Sequence, residues 1–504
     1  MKIIKTVTIR KAAKVNNFRK AYYYMKKNGM ADTFYAVLER MVIGEDTSSY
    51  CYRVPGRDVL EKQKAEGDRY SYRFSILVPA YETKEEYLRE MMDSVLGQSY
   101  GNLELIIADA SRSKRVENVV RTYADGRIRY LSLPENKGIS ENTNRALEEA
   151  QGDFVGLLDH DDVLAPDALY EMASAINRAC TCIEQPGGNE NDKNGISGDT
   201  PWLLYSDEDK CSAEMTEFYE PHRKPGLDVD LLLSNNYVCH FMVMKRELMQ
   251  ELRFRREYDG AQDYDMVLRA VGKLLYGGDD PEAESAVSCG NGAAKRYCRG
   301  CMAGRNAVVH VPKVLYHWRC HSASTAENPE SKRYAYEAGK RALEDFLRSR
   351  NWKGTVSHTK HLGFYRIAYD GGIFAQREDI GVAAGPVYDR GGRICGGAYG
   401  RKGNVLYRGL YKHFSGYMHR AVLYREVYAA DLRRMRVRKE LWQVFGEVFG
   451  MPYREGRDGW FDVTGIKGDG ADLRRKCLEF GRRVRRLGYK VVWLPRETGR
   501  TGRE

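Results

Sequence analysis

Between residues 74 and 162 four short apolar runs alternate with stretches of helical periodicity, and this alternation restricts the fold more than any other feature. Residues 74–78 run into Pro79, residues 103–108 end at Asp109, residues 128–133 precede the turn Asn136-Lys-Gly138, and residues 154–158 end at Asp159. The intervening segments read as helices. One places Tyr87, Leu88, Met91, Met92, Val95 and Leu96 on one face, and residues 116–123 and 140–150 continue the pattern. Strand and helix in alternation predict an α/β fold, a mainly parallel sheet joined by right-handed crossovers and flanked by helices. Later segments extend it: strands at 202–206 and 308–316, and helices around 263–271 and 330–350.

The fourth run carries the strongest chemical signal. It ends abruptly in Asp159, Asp161 and Asp162. Open α/β sheets bind ligands beyond the carboxyl ends of their strands. Clustered carboxylates there repel one another unless a cation sits among them. A hard divalent ion, Mg2+ or Mn2+, shared with substrate phosphates, suits such oxygen ligands. The competing reading is an acidic turn capping a helix that starts near Pro166. It accounts for Asp162 and Asp167, but it does not require three acids directly after a buried strand.

Three further groups stand out. In Gly260-Ala-Gln-Asp263-Tyr-Asp265, Asp263 reads as a general base for an attacking hydroxyl or as a helix cap. In His317-Trp-Arg319 the side chains serve packing, or Arg319 holds phosphate. Cys298-x-x-Cys301 with Cys289 supplies only three thiols for a zinc site that needs four ligands, with His310 a speculative fourth. A Gly-x-Gly-x-x-Gly turn, a P-loop and a Gly-x-Ser-x-Gly elbow are absent.

A chain of 504 residues predicts two or more domains. Residues 1–70 read as a basic helical arm, with a helix over 18–27 stopping at Asn28-Gly29. Two polar or Gly-rich segments, near 183–200 and 277–305, interrupt the α/β pattern. No apolar run approaches the length of a membrane span, and the start lacks the features of a signal peptide. The expected location is therefore cytoplasmic, with the eleven cysteines reduced. The net charge of +11 gathers near both ends of the sequence. It either solvates helix faces or meets a polyanion. No aromatic-basic recognition motif accompanies it, which argues against nucleic acid and for peripheral contact with an anionic membrane at the inner face of the cell membrane.

With these residues in hand, the chain from about residue 74 to 347 resembles family 2 glycosyltransferases, inverting enzymes of the GT-A fold. Ser75-Ile-Leu-Val-Pro79-Ala-Tyr81 is similar to the family's first strand, whose end contacts the nucleotide base. Asp109 corresponds to an acid that binds the base, although the family commonly has two adjacent Asp there. Asp159-His-Asp161 matches the Asp-x-Asp motif, with Asp161 as the direct metal ligand and Asp159 helping to hold metal or ribose. Asp263 matches the catalytic base, with Gln262 where many members have Glu. Leu204-Tyr-Ser-Asp-Glu-Asp-Lys210 and Tyr316-His317-Trp-Arg319 resemble the branch that builds bacterial surface polysaccharides, rhamnosyltransferase-like proteins among them.

The resemblance implies a UDP- or dTDP-sugar donor, a glycan or lipid-linked acceptor, and His317 or Arg319 closing over the diphosphate. The Gln-x-x-Arg-Trp signature of processive synthases is missing, which implies addition of one or a few sugars. Residues 381–389 and 487–495 resemble the acceptor-side half of a second such domain. The expected division is an arm at 1–70, a catalytic domain at 71–355 and a degenerate module at 356–504. A non-catalytic scaffold and a nucleotidyltransferase are the alternatives.

Overall fold

The computed structural model describes residues 15–43, 50–181, 200–277, 307–321, 333–464 and 470–495. Most of the two interrupting segments, with Cys289, Cys298 and Cys301, lies outside the described residues.

Two helices come first, α1 (Val15–Ile43) and α2 (Arg57–Gly67). Gly29 breaks α1 as the Asn28-Gly29 pair predicts, with φ of 84°, but the helix resumes at once and is longer than the sequence suggests. Then come β1 (Phe74–Ala80), α3 (Glu85–Leu96), β2 (Leu103–Asp109), α4 (Arg115–Val120), β3 (Ile128–Ser132), α5 (Ile139–Glu148) and β4 (Phe154–Leu157). β1, β2, β3 and β4 pair in parallel, in the order β3-β2-β1-β4. β1 and β2 are buried along nearly their whole length, which is why they read as apolar runs rather than as alternating ones.

The sheet continues through β5 (Val163–Leu164), β6 (Leu203–Ser212), β7 (Phe218–His222), β8 (Met242–Lys245) and β9 (Val308–Cys320), giving nine strands in all. β8 lies antiparallel between β4 and β6, and β9 runs parallel to β6. The parallel half is thus the one legible in the sequence, and an antiparallel strand joins it to the second half. Helices cover the sheet: α6 (Ala168–Thr181), the single turn α7 (Val229–Leu232), α8 (Arg246–Leu252), α9 (Gln262–Tyr276) and α10 (Arg333–Ser349). One apolar cluster joins Leu88, Met91, Ile107, Leu169 and Ile176, and a second joins Leu77, Ile106, Met244, Val267 and Phe346. Alternate residues of β1 and β2 go to the two clusters, as the pleat requires.

After a hairpin (Gly354–His358 and Tyr365–Tyr369), a four-stranded sheet forms from Arg425–Glu426, Lys490–Trp493, Ile380–Ala384 and Met435–Val437. It has its own core around Val382, Phe445, Phe480 and Trp493. This C-terminal unit is tied to the first sheet by charge. Arg377 is fully buried and bonds Asp230 at 2.8 Å and Asp379 at 2.8 and 2.9 Å. Lys490 reaches Asp379 at 2.9 Å, and the Glu426 amide donates to the Asp228 carboxylate. Arg377 and Lys490 hold Asp379 well below the usual carboxylate range.

Breaking a buried pair by removing one partner typically costs about 3–5 kcal/mol, because a charge is left without its counter-ion. Arg377→Met should therefore lower the midpoint of thermal unfolding sharply, which circular dichroism or calorimetry would read directly.

Candidate active site

The acidic loop after β4 is held from below. The Asp162 carboxylate is buried and accepts from the Tyr316 hydroxyl at 2.6 Å and from the Arg319 amide at 2.7 Å. The same hydroxyl accepts from the Asp159 amide at 3.4 Å. β5 pairs with β9 in register, Val163 with His317 and Leu164 with Tyr316. The second and third acids of the motif thus separate in role. Asp162 is a structural anchor, as the turn reading anticipates, while Asp159 and Asp161 remain half-buried.

Asp161 meets His321 Nε2 at 2.8 Å. Asp159 is raised above the ordinary carboxylate value by burial, and the charges of Asp161 and Asp263 push it further up; His240 and His160 work the other way. Asp263 thus lies within electrostatic range of Asp159, although the two are far apart in the chain. The Cys239 thiol is pushed up by burial and by the charges of Glu208, Asp263 and Asp159. Asp263 is the second residue of α9, near the positive end of the helix dipole, and accepts from Asn236 Nδ2 at 2.7 Å.

A second set of acids steadies the floor. In β6, Asp207 accepts from or pairs with His310 Nε2 at 2.8 Å, and Asp209 contacts His317 Nδ1 and the Tyr50 hydroxyl, both at 2.6 Å. Glu208 contacts His222 Nδ1 at 3.1 Å and Lys224 Nζ at 3.2 Å, and accepts from the His240 amide at 3.1 Å. Lys224 and the histidines hold Glu208 far below its usual range. Lys224 Nζ also donates to the Val238 and His240 carbonyls. This fixes the turn whose Asn236 reaches Asp263.

Two sequence expectations change here. Arg319 is fully buried, and its guanidinium donates to the carbonyls of Asp161 and Ala213, pairs with Glu90 and lies over the Tyr87 ring. With its donors committed to the protein, it shapes the acidic loop instead of closing over a diphosphate. His317 is also buried, edge-on to Tyr52 and Phe218 and paired with Asp209, so it packs the floor. Pro79 and Tyr81 stand at the end of β1, with Tyr81 41% exposed and available to a base. Asp109 is buried, accepting from the Ser111 amide at 2.9 Å and the Tyr130 hydroxyl at 2.8 Å. Sequence reasoning missed Asn236, His321 and Lys224. Asn236 carries no signal, whereas His321 continues the His317-x-Arg319 spacing by two.

The donor set suits a hard divalent ion. Asp159 and Asp161 offer carboxylate oxygens in a place where acids press on acids and only imidazoles offset them. A different three-acid group, Asp228, Asp230 and Glu426, converges within 4.8 Å among the described residues. It is already balanced by Arg377, Arg425 and Lys490.

Residues 75–253 match the family model described as glycosyl transferase family 2. An uncharacterized protein, y4gI, of Sinorhizobium fredii is 35% identical over 277 residues, covering 54% of this chain and 25% of that protein. The O-antigen biosynthesis protein RfbC of Myxococcus xanthus is 30% identical over 299 residues, 58% of this chain and 19% of that protein. A putative teichuronic acid biosynthesis glycosyltransferase, TuaG of Bacillus subtilis, is 34% identical over 109 residues, 21% of this chain and 43% of that protein. The chain thus spans a quarter or less of the length of the first two of these relatives.

Tyr316→Phe removes the hydroxyl that bridges Asp162 and the Asp159 amide. Leaving a buried acceptor short of its donor costs about 1–3 kcal/mol. The variant should unfold at correspondingly lower denaturant concentration, a shift that urea titration resolves.

Proposed function

We propose, from the match of residues 75–253 to the glycosyl transferase family 2 model, that the protein moves a sugar from a nucleoside-diphosphate sugar to a hydroxyl of a glycan or lipid-linked acceptor, with inversion at the anomeric carbon. What supports this reading is that Asp159 and Asp263, from distant parts of the chain, lie within electrostatic range of each other, with Asn236 bonded to Asp263 at 2.7 Å. The names of RfbC and TuaG favour bacterial surface polysaccharide as the product class. A UDP- or dTDP-sugar is the donor we favour, lying across the ends of β1 and β4 with its base near Pro79, Tyr81 and Asp109.

Asp161 and Asp159 would hold Mg2+ or Mn2+. When bound, such an ion supplies positive charge to the diphosphate, whose own charge grows as the glycosidic bond lengthens. The remaining chemistry belongs to this chain's residues. Asp263 accepts the proton of the acceptor hydroxyl while that oxygen forms its bond to the anomeric carbon, and the bond from that carbon to the diphosphate oxygen breaks on the opposite face. The nucleoside diphosphate leaves with the bonding pair. Asn236 donates to one oxygen of Asp263 and so presents the other to the acceptor. Arg319 and Tyr316 keep the acidic loop in place, and much of the rate comes from holding the two substrates in line.

Asp263→Asn should lower kcat by about 10²- to 10⁴-fold, the usual worth of a general base, with donor affinity nearly unchanged. Full transfer by the variant in a purified assay with product analysis would overturn the base assignment. Metal removal gives an independent check. Dialysis against EDTA should abolish transfer and added manganese should restore it. Activity that survives chelation would remove the ion from the reading, and release of pyrophosphate in place of nucleoside diphosphate would identify a nucleotidyltransferase.

A further inference from the structure

Among its described side chains, helix α1 contacts the C-terminal unit through Asp32, Tyr35 and Glu39. Tyr35 stacks on His413 at 4.1 Å, Asp32 pairs with Lys360 at 3.1 Å, and Glu39 accepts from the Ser415 and Gly416 amides at 2.8 and 2.6 Å. The other side carries Met30, Phe34, Val37 and Met41, spaced by four, three and four residues, so they form one stripe along the helix. They are 78%, 62%, 40% and 51% exposed, and Val42 beside them is 61% exposed. Apolar side chains in a continuous row on a surface mark a contact.

The charges around the stripe indicate its occupant. Residues 15–43 contain five Lys and Arg and two acids, Asp32 and Glu39. Both acids are spent on the C-terminal unit. Lys26 and Arg40 are exposed on the same helical segment. An exposed apolar row on a helix whose acids are already paired and whose exposed charges are cations complements an anionic lipid surface, where the row enters the acyl boundary and the cations meet headgroups. A second copy of the chain suits it less well. Two such faces would bring like charges together, and a stripe of fewer than two heptads falls short of the three or four that sustain a coiled coil. No helix among the described residues is long and apolar enough to cross a membrane, so the contact is interfacial.

We propose that the exposed face of α1, from Met30 to Val42, lies in the surface of an anionic bilayer and seats the protein there. The proposal deepens the reading of a lipid-linked acceptor by naming the surface that meets the membrane.

Full-length protein would be sedimented with vesicles of phosphatidylcholine alone and with phosphatidylglycerol added. Binding should require the anionic lipid and weaken with salt. Phe34→Ser combined with Met41→Ser should weaken it at least about tenfold, with the circular dichroism spectrum and thermal midpoint unchanged because both side chains are exposed. Lys26→Ala with Arg40→Ala should weaken it by about tenfold at low salt and less at high salt. Wild-type protein that ignores anionic vesicles, or an apolar double variant that binds as well as wild type, overturns the proposal. So does a wild-type dimer in analytical ultracentrifugation that the apolar double variant converts to monomer, since a second copy would then cover the stripe. Vesicle binding is read without turnover, and transfer to a soluble acceptor without vesicles should be equal in wild type and the apolar variant. Failure of the transferase reading is therefore distinguishable from failure of this one.

Discussion

A buried carboxylate that has to be supplied with donors organises the acidic loop. Asp162 receives them from the Tyr316 hydroxyl and the Arg319 amide, both on the strand that β5 pairs with. The loop between β4 and β5 is short, so pinning its last acid determines where the two before it stand. Arg319 completes the arrangement by taking the Asp161 carbonyl. Its fully buried guanidinium would be costly without partners, and it has Glu90, two carbonyls and the Tyr87 ring. The motif on β9 is therefore the support for the motif after β4.

The protein treats its buried acids in two ways. Asp207, Glu208, Asp209, Asp230 and Asp379 each face a histidine, lysine or arginine within hydrogen-bonding distance. For Asp207, Glu208 and Asp379 the result is a carboxylate held below its ordinary value. These acids are structural. Asp159 is the opposite case. Burial raises it first, and the charges of Asp161 and Asp263 raise it further, against His240 and His160. Asp228 and Asp230 are also raised by burial and neighbouring acids, but Arg425 and Arg377 pair with them; at Asp159 the opposing charges are imidazoles, a place that a cation can complete.

The fold was legible where the pattern is local. The four parallel strands and their helices follow from apolar runs and helical spacing, and the expected helix at residues 85–96 coincides with α3. The antiparallel placement of β8 was not, because a four-residue strand carries no direction in its composition. Asp159, Asp161 and Asp263 were singled out by residue type at strand and helix ends, and Asp263 lies within electrostatic range of Asp159. For Arg319 and His317 the sequence left packing and phosphate binding both open, for one reason. A cation after a strand is the same in sequence whether it faces a ligand or a neighbouring carbonyl, and only the long-range contacts with Asp161, Ala213 and Asp209 decide. Asn236 was invisible because its one strong interaction is with a residue 27 positions away.

The C-terminal unit enters the same argument through α7. A helix of one turn has no stability of its own, so its orientation must be imposed from outside. Asp228 caps it by accepting from the Leu231 amide while also accepting from the Glu426 amide of the C-terminal sheet. Just beyond the helix the Ser234 carbonyl accepts from the Tyr365 amide, and the Tyr264 hydroxyl of α9 donates to the Leu232 carbonyl. Two residues further on, Asn236 bonds Asp263. A continuous set of hydrogen bonds therefore runs from the C-terminal sheet, through a turn that cannot hold itself, to the side chain assigned as base. Whatever else that unit binds, loosening it must loosen Asn236, and the geometry of Asp263 is tied to how firmly the two sheets are joined.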